Sequence, residues 1–196
     1  YLPRKFKIAV NAAADDRAVI RAHDIGLGLV IDDTGEIGFR VFVGGGLGRT
    51  PILGKLIREF LPRRHLLSYL DAILRVYNRY GRRDNMYKAR IKILVQTLGI
   101  EEFTRQVDAE WAYLQDGPTT VPDAEFARIA HHFAPPPWET LPAEDSAHAA
   151  RLSSDKAFAN WVRRCVHAHK TPGYAAITLS LKAPGVAPGD ITDAQM

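Results

Sequence analysis

LGLVIDDTGEIGFRVFVGGGLGRTP, residues 27–51, is the stretch whose reading decides the fold. Two apolar, β-branched runs, 27–31 and 36–43, flank the turn sequence Asp32-Asp33-Thr34-Gly35, a pattern that predicts an antiparallel hairpin. Upstream, Lys5-Phe6-Lys7-Ile8-Ala9-Val10 reads as another strand and 11–16 as a loop. Downstream the apolar period changes. Leu66, Leu67, Leu70, Ile73, Leu74 and Tyr77 share one helix face, and Gly81 marks its end. Further helices are predicted over 86–98, stopping at Gly99, and over 101–114. The expected class is α+β, a mixed or antiparallel sheet flanked by helices.

Residues 116–150 change in composition. Gly117, Pro118, Pro122, Pro135-Pro136-Pro137 and Pro142 read as a linker with one short helix near 123–133. A helix over 155–166 and a strand over 174–181 follow. A second Pro/Gly stretch comes next, and the beginning of a helix stands at Met196. The expected organisation is a domain over 1–115, a Pro-rich linker with short helices over 116–169, and the start of a second domain over 170–196.

Composition narrows the chemistry. No run of about 18 apolar residues is present, so no membrane-spanning helix is expected. The single cysteine, Cys165, excludes an intramolecular disulfide and any multi-cysteine zinc or iron–sulfur site built by this chain. With no secretory leader at its start, the chain is expected in the cytoplasm, and a start inside a predicted strand suggests a piece of a longer protein. The net charge of +4 suits an anionic partner without identifying one.

Several groups could carry chemistry. Lys5 and Lys7 alternate along the predicted strand, so both ammonium groups share a face and Arg4 takes the other. Like charges about 7 Å apart repel unless they share an anion, although a solvated strand face also explains them. The 44–48 segment, placed between a strand and the next helix, reads either as a tight turn or as a cradle whose backbone approaches a flat or anionic ligand. It lacks the P-loop lysine and the dinucleotide fingerprint. Arg79, Arg82, Arg83, Lys88, Arg90 and Lys92 face only Asp84 in their stretch. They form either an anion site or a solvated basic face. His23-Asp24 has no nucleophile to serve and reads as a structural hydrogen bond. His131-His132, His167 and His169 read as surface histidines, and Cys165 as a small buried residue.

YLPRKFK, AHDIGL, GFRVFVGGGLGRTP and YNRYGRRDNMYKARIKILVQTLG, in that order, resemble the sirohaem-dependent sulfite/nitrite reductase haemoprotein family. The tail GYAAITLSLKAPGVAPGDITDAQM resembles the opening of that family's second ferredoxin-like half-domain. The resemblance covers roughly residues 1–115 and 170–196. It implies an internal fragment of an enzyme that reduces sulfite to sulfide, or nitrite to ammonia, by six electrons. The implied cofactors are sirohaem, rimmed by eight carboxylates, and a 4Fe–4S cluster joined to it through a cysteine thiolate. By the match, Lys5 and Lys7 hold the anion, help deliver protons and neutralise the charge on the cofactor. Arg4 lies beside the sirohaem carboxylates, Gly44, Gly45 and Gly46 let the backbone pass the macrocycle, and Arg90 meets a sirohaem carboxylate. The implied partners are the rest of the parent chain, a ferredoxin or flavoprotein electron donor, and sulfite or nitrite, with no nucleic acid and no membrane. The cluster cysteines and the arginines completing the substrate pocket have no counterpart in this chain, so it is not expected to catalyse alone. A basic anion- or nucleic-acid-binding module and a structural interaction domain are the competing readings.

Overall fold

The computed structural model describes residues 1–142, 145–181, 185, 187, 189, 192 and 193. They fall into two compact units, Tyr1–Phe133 and Ala134–Met196. The division lies inside the proline-rich stretch that composition set apart.

In the first unit, β1 (Ile8–Asn11), β2 (Ile25–Ile31), β3 (Ile37–Val43) and β4 (Lys55–Pro62) form one sheet in that order. β1 runs parallel to β2, and the other pairs are antiparallel, so the sheet is mixed. The predicted hairpin is present, with Ile31 opposite Ile37 and Ile25 opposite Val43. Its turn is built by Asp32, whose carboxylate accepts from Thr34 N (2.9 Å), Thr34 Oγ1 (2.7 Å) and Glu36 N (2.9 Å). Gly35 takes the left-handed conformation that closes it, at φ +86°.

One face of the sheet buries Ile25, Leu27, Phe39, Val41 and Val43 against three helices. These are α1 (Leu66–Tyr80), α2 (Ile91–Leu98) and α3 (Ile100–Trp111). α1 contributes Tyr69, Ala72, Ile73, Val76 and Tyr77, and α3 contributes Phe103 and Val107. α4 (Asp123–His131) is the short helix expected in the linker stretch. No helix among the described residues is long and apolar enough to cross a membrane.

Three expectations need correction. The 44–48 segment leads into a strand, β4, and not a helix. Register shifts against β3 put an extra β4 residue between paired positions. Arg58 lies opposite Val41 but Leu56 opposite Phe42. The bulge breaks the two-residue alternation that would have announced the strand. β1 begins at Ile8, so Arg4, Lys5 and Lys7 precede the ladder. Finally, the helix predicted over 86–98 is two pieces, a 3-10 turn at Met86–Lys88 and then α2. Arg90 between them is extended at ψ 147°.

The second unit holds α5 (Ser146–Ser154), α6 (Lys156–Cys165) and a two-stranded ladder of β5 (Val166–Ala168) with β6 (Ala175–Ile177). Asp145 and Asp155 cap the two helices, accepting from His148 N (3.2 Å) and Phe158 N (2.9 Å) respectively. Trp138, His169 and Tyr174 pack ring to ring. β6 ends at Ile177 and is shorter than the strand predicted over 174–181. The Pro/Gly stretch after 181 and the helix start near Met196 lie mostly outside the described residues.

Tyr69 shows how the helices lock to the sheet. Its buried hydroxyl donates to Asp108 (3.0 Å) on α3, Arg58 of β4 also pairs with Asp108, and the Arg58 guanidinium lies over the Tyr69 and Trp111 rings at 5.0 and 5.1 Å. Burial pushes the Tyr69 phenol above its ordinary value of 10.0. A raised folded value makes the stabilisation complete below pH 10 and erodes it at higher pH. Tyr69→Phe should therefore cost about 1–3 kcal/mol at pH 7. Urea midpoints of the two proteins should draw together above pH 10.

Candidate functional site

A cavity of about 940 Å³ opens in the first unit, at the upper end of the range for small-molecule sites. Seven lining side chains are cationic: Arg4, Lys5, Lys7, Arg49, Lys88, Arg90 and Lys92. Among the described residues no Asp or Glu lines it. Between the charges lie apolar groups, including Val19, Leu47, Tyr87 and Ile93. Such a lining suits a ligand with an apolar body and an anionic rim.

The cations reach this cavity by local rules. Lys5 and Lys7 are exposed on one side of an extended segment, while Phe6 between them stacks on Tyr77 (centroids 5.8 Å apart). The two lysines therefore share the cavity, as alternation requires. Arg4 lines it too, against the expectation that it faces the other way. No ladder fixes the alternation before Ile8, and the guanidinium is drawn to the Met86 carbonyl (2.7 Å) and over the Tyr87 ring (6.0 Å).

Asp24 sits beneath the cavity, 1% exposed. Its carboxylate accepts from Arg90 Nε (2.9 Å), pairs with Arg90 Nη2 (2.7 Å), and accepts from the backbone N–H of Lys7 (3.0 Å). Its carbonyl accepts from Gly44 N (3.0 Å). Asp24 thus has the structural role expected, although its partner is Arg90. His23 instead bonds through Nδ1 to the Val19 carbonyl (3.0 Å) and lines the cavity. Arg90 does line the cavity, but its guanidinium is engaged by an internal carboxylate.

Gly44, Gly45 and Gly46 are buried against the chain's own atoms. A Cβ on Gly45 would overlap the carbonyls of Arg21 and His23. One on Gly44 would press Val95 at 3.1 Å, and one on Gly46 would meet Arg90 Nη2 at 3.0 Å. The tight-turn reading accounts for these glycines directly. What reaches the cavity is the segment after them, residues 47–50.

Sequence reading missed Arg49 and Val19 as cavity residues and placed Lys92 only within the basic cluster. Lys92 is only 7% exposed, and its ammonium donates to carbonyls of the 46–50 segment. Burial, helped by the nearby Arg90 charge, pushes that ammonium below its ordinary value. Its signal was present: cations in the first turn of α2 oppose the helix dipole and so need other acceptors. Arg49 follows the glycines directly. Val19 has φ +50°, a strained conformation for a β-branched residue, in a segment whose Ile20 N–H is held by the Asp16 carboxylate at 3.0 Å.

No group of three or more His, Cys, Asp or Glu among the described residues could hold a metal. The whole chain has one cysteine, so the residues present do not fit a cluster that needs four thiolates. They do fit a carboxylate-rimmed macrocycle, because the cavity is cationic, apolar in part and large enough.

The profile of the "Nitrite and sulphite reductase 4Fe-4S domain" family matches residues 1–113. A sulfite reductase (ferredoxin) of Synechococcus elongatus is 38% identical over 116 residues, 56% of this chain and 19% of that protein. A sulfite reductase (NADPH) hemoprotein beta-component of Staphylococcus haemolyticus is 34% identical over 115 residues, 55% of this chain and 20% of that protein. Among solved structures, the Mycobacterium tuberculosis NirA protein matches with a TM-score of 0.52 and 30% identity, over 62% of this chain and 22% of that one. The chain spans about a fifth of the length of the relatives it matches.

Because Asp24 is the buried counter-charge for Arg90, Asp24→Asn should destabilise the first unit by about 3–5 kcal/mol. Adding Arg90→Met to it should recover part of that loss, because no unpaired charge is then left inside. Urea unfolding of the single and double variants measures both.

Proposed function

The chain belongs to the nitrite and sulphite reductase 4Fe-4S domain family, and from that premise we propose that its first unit forms one wall of a sirohaem and anion pocket. The parent enzyme carries out the six-electron reduction of sulfite to sulfide or of nitrite to ammonia. The observation that carries the reading is the cavity lined by seven cations and no described acid.

Bound there, sirohaem would supply redox-active iron through which electrons reach the anion. The chain's own residues have three tasks. Arg4, with Lys88 and Arg49, faces the carboxylate rim and offsets its charge. Lys5 and Lys7 present ammonium groups to the anion, help neutralise the cofactor's charge, and stand where protons are needed as each oxygen leaves as water. Arg90 contributes its outer edge while Asp24 fixes its inner one. The 44–46 glycines act indirectly, by letting the backbone turn closely enough to deliver residues 47–50 to the cavity wall.

A single cysteine cannot ligate the 4Fe–4S cluster, so the reduction requires thiolates from outside these residues. The parent would take electrons from a ferredoxin or a flavoprotein; the names of the relatives give ferredoxin in one case and NADPH in the other. The reading places the protein in the cytoplasm.

Titration of the 196-residue chain with sirohaem, followed by absorbance, tests the proposal. Saturable binding is expected. Lys5→Ala/Lys7→Ala should weaken it by about tenfold or more, since two charge-assisted contacts are lost. A folded chain that does not bind, or a double variant that binds as the wild type does, would overturn the assignment of these residues.

A further inference from the structure

We infer that Lys92 is a positioning residue, whose ammonium gathers backbone carbonyls at the base of a five-residue loop and thereby holds Arg49 on the cavity wall. The inference rests on reading the cavity as an anion site.

The loop comprises residues 47–51 and is closed by a two-way backbone pair, Gly46 N to Ile52 O (2.9 Å) and Ile52 N to Gly46 O (3.0 Å). Inside that closure, Lys92 Nζ lies 2.6 Å from Thr50 O, 3.4 Å from Gly46 O and 3.5 Å from Leu47 O. An ammonium has three donors, and here three carbonyls of one loop converge on it. With those carbonyls turned inward, the loop keeps Leu47 65% exposed, and both Leu47 and Arg49 line the cavity. The lysine stem also touches the loop, because a Cβ added to Gly46 would meet Lys92 Cδ at 3.2 Å.

The location argues against a general stabilising role. A cation in the first turn of a helix opposes the dipole, and burying it costs free energy. The carbonyls offset that cost only while the loop keeps this shape. If Lys92 is replaced by an apolar residue, the Gly46 carbonyl keeps the Ile52 N–H, while the Leu47 and Thr50 carbonyls lose their ammonium donor. Lys92 therefore selects one loop conformation, and the side chain that conformation delivers is Arg49.

Two measurements on the full chain test this. The first is limited trypsin digestion, with cleavage after Arg49 compared with cleavage after Arg105 in α3 as an internal reference for global opening. Lys92→Met should raise relative cleavage after Arg49 by about tenfold. The second is titration with uroporphyrin, an octacarboxylate porphyrin. Arg49→Ala and Lys92→Met should each weaken binding by about fivefold, and the double variant should be no weaker than the poorer single one. A purely structural lysine would instead give losses that multiply. Unchanged relative cleavage in Lys92→Met, or multiplicative losses, would overturn the inference.

If Lys92→Met does not fold, Gly48→Ala reads the same loop. Gly48 has φ +106° and open space around it, so the substitution strains the loop without touching the core. It should reproduce the rise in cleavage and the loss of binding, and wild-type behaviour in both would overturn the inference. Failure of the wild type to bind uroporphyrin would instead count against the anion-site reading, and the cleavage ratio would still decide the role of Lys92.

Discussion

The first unit is organised around one buried carboxylate. Asp24 stands at the entry to β2, and its oxygens are used by Arg90 at the start of α2 and by the backbone of Lys7 just before β1. Three chain segments far apart in sequence therefore meet at a single charge. The geometry also determines what faces outward. With the inner edge of Arg90 and the Lys7 backbone fixed, the cationic side chains around them have the cavity as their open side. A buried ion pair is a poor source of net stability, but removing one partner of it is costly. Its value lies in fixing register between elements that the apolar core alone would let slide.

The sheet was legible where its rules are local. The apolar runs 27–31 and 36–43 on either side of the Asp32-Asp33-Thr34-Gly35 turn marked the hairpin, and the 3.6-residue period marked α1. β4 was not legible, because its bulge places residues out of phase with the pleat. The break at Arg90 was hidden as well, because a pull from Asp24, sixty-six positions away, interrupts what local propensity would continue. Tertiary contacts of this kind leave no mark on the neighbouring sequence.

The site was legible in part. Lys5 and Lys7 came together because two residues of extended chain separate like faces, even outside a ladder. Arg4 broke that rule and joined them, since a backbone carbonyl of another segment draws its guanidinium at an unpaired strand end. The glycine run marked the right place but for a different reason. Its missing side chains make room for Arg21, His23 and Val95, and the residues that follow them reach the cavity. Lys92 was concealed by its neighbours, one basic residue in a run of six.

The cationic lining also governs arrival. Charges of one sign gathered in a concave, partly apolar wall focus the field toward the opening and raise the encounter rate of anions. At physiological ionic strength that field reaches only about 8 Å beyond the surface. Selection at the mouth is then by charge alone, indifferent to the identity of the anion, and shape acts only after entry. A small oxyanion and a large macrocycle would thus be drawn in by the same force, and the order in which they arrive becomes a matter of diffusion and concentration.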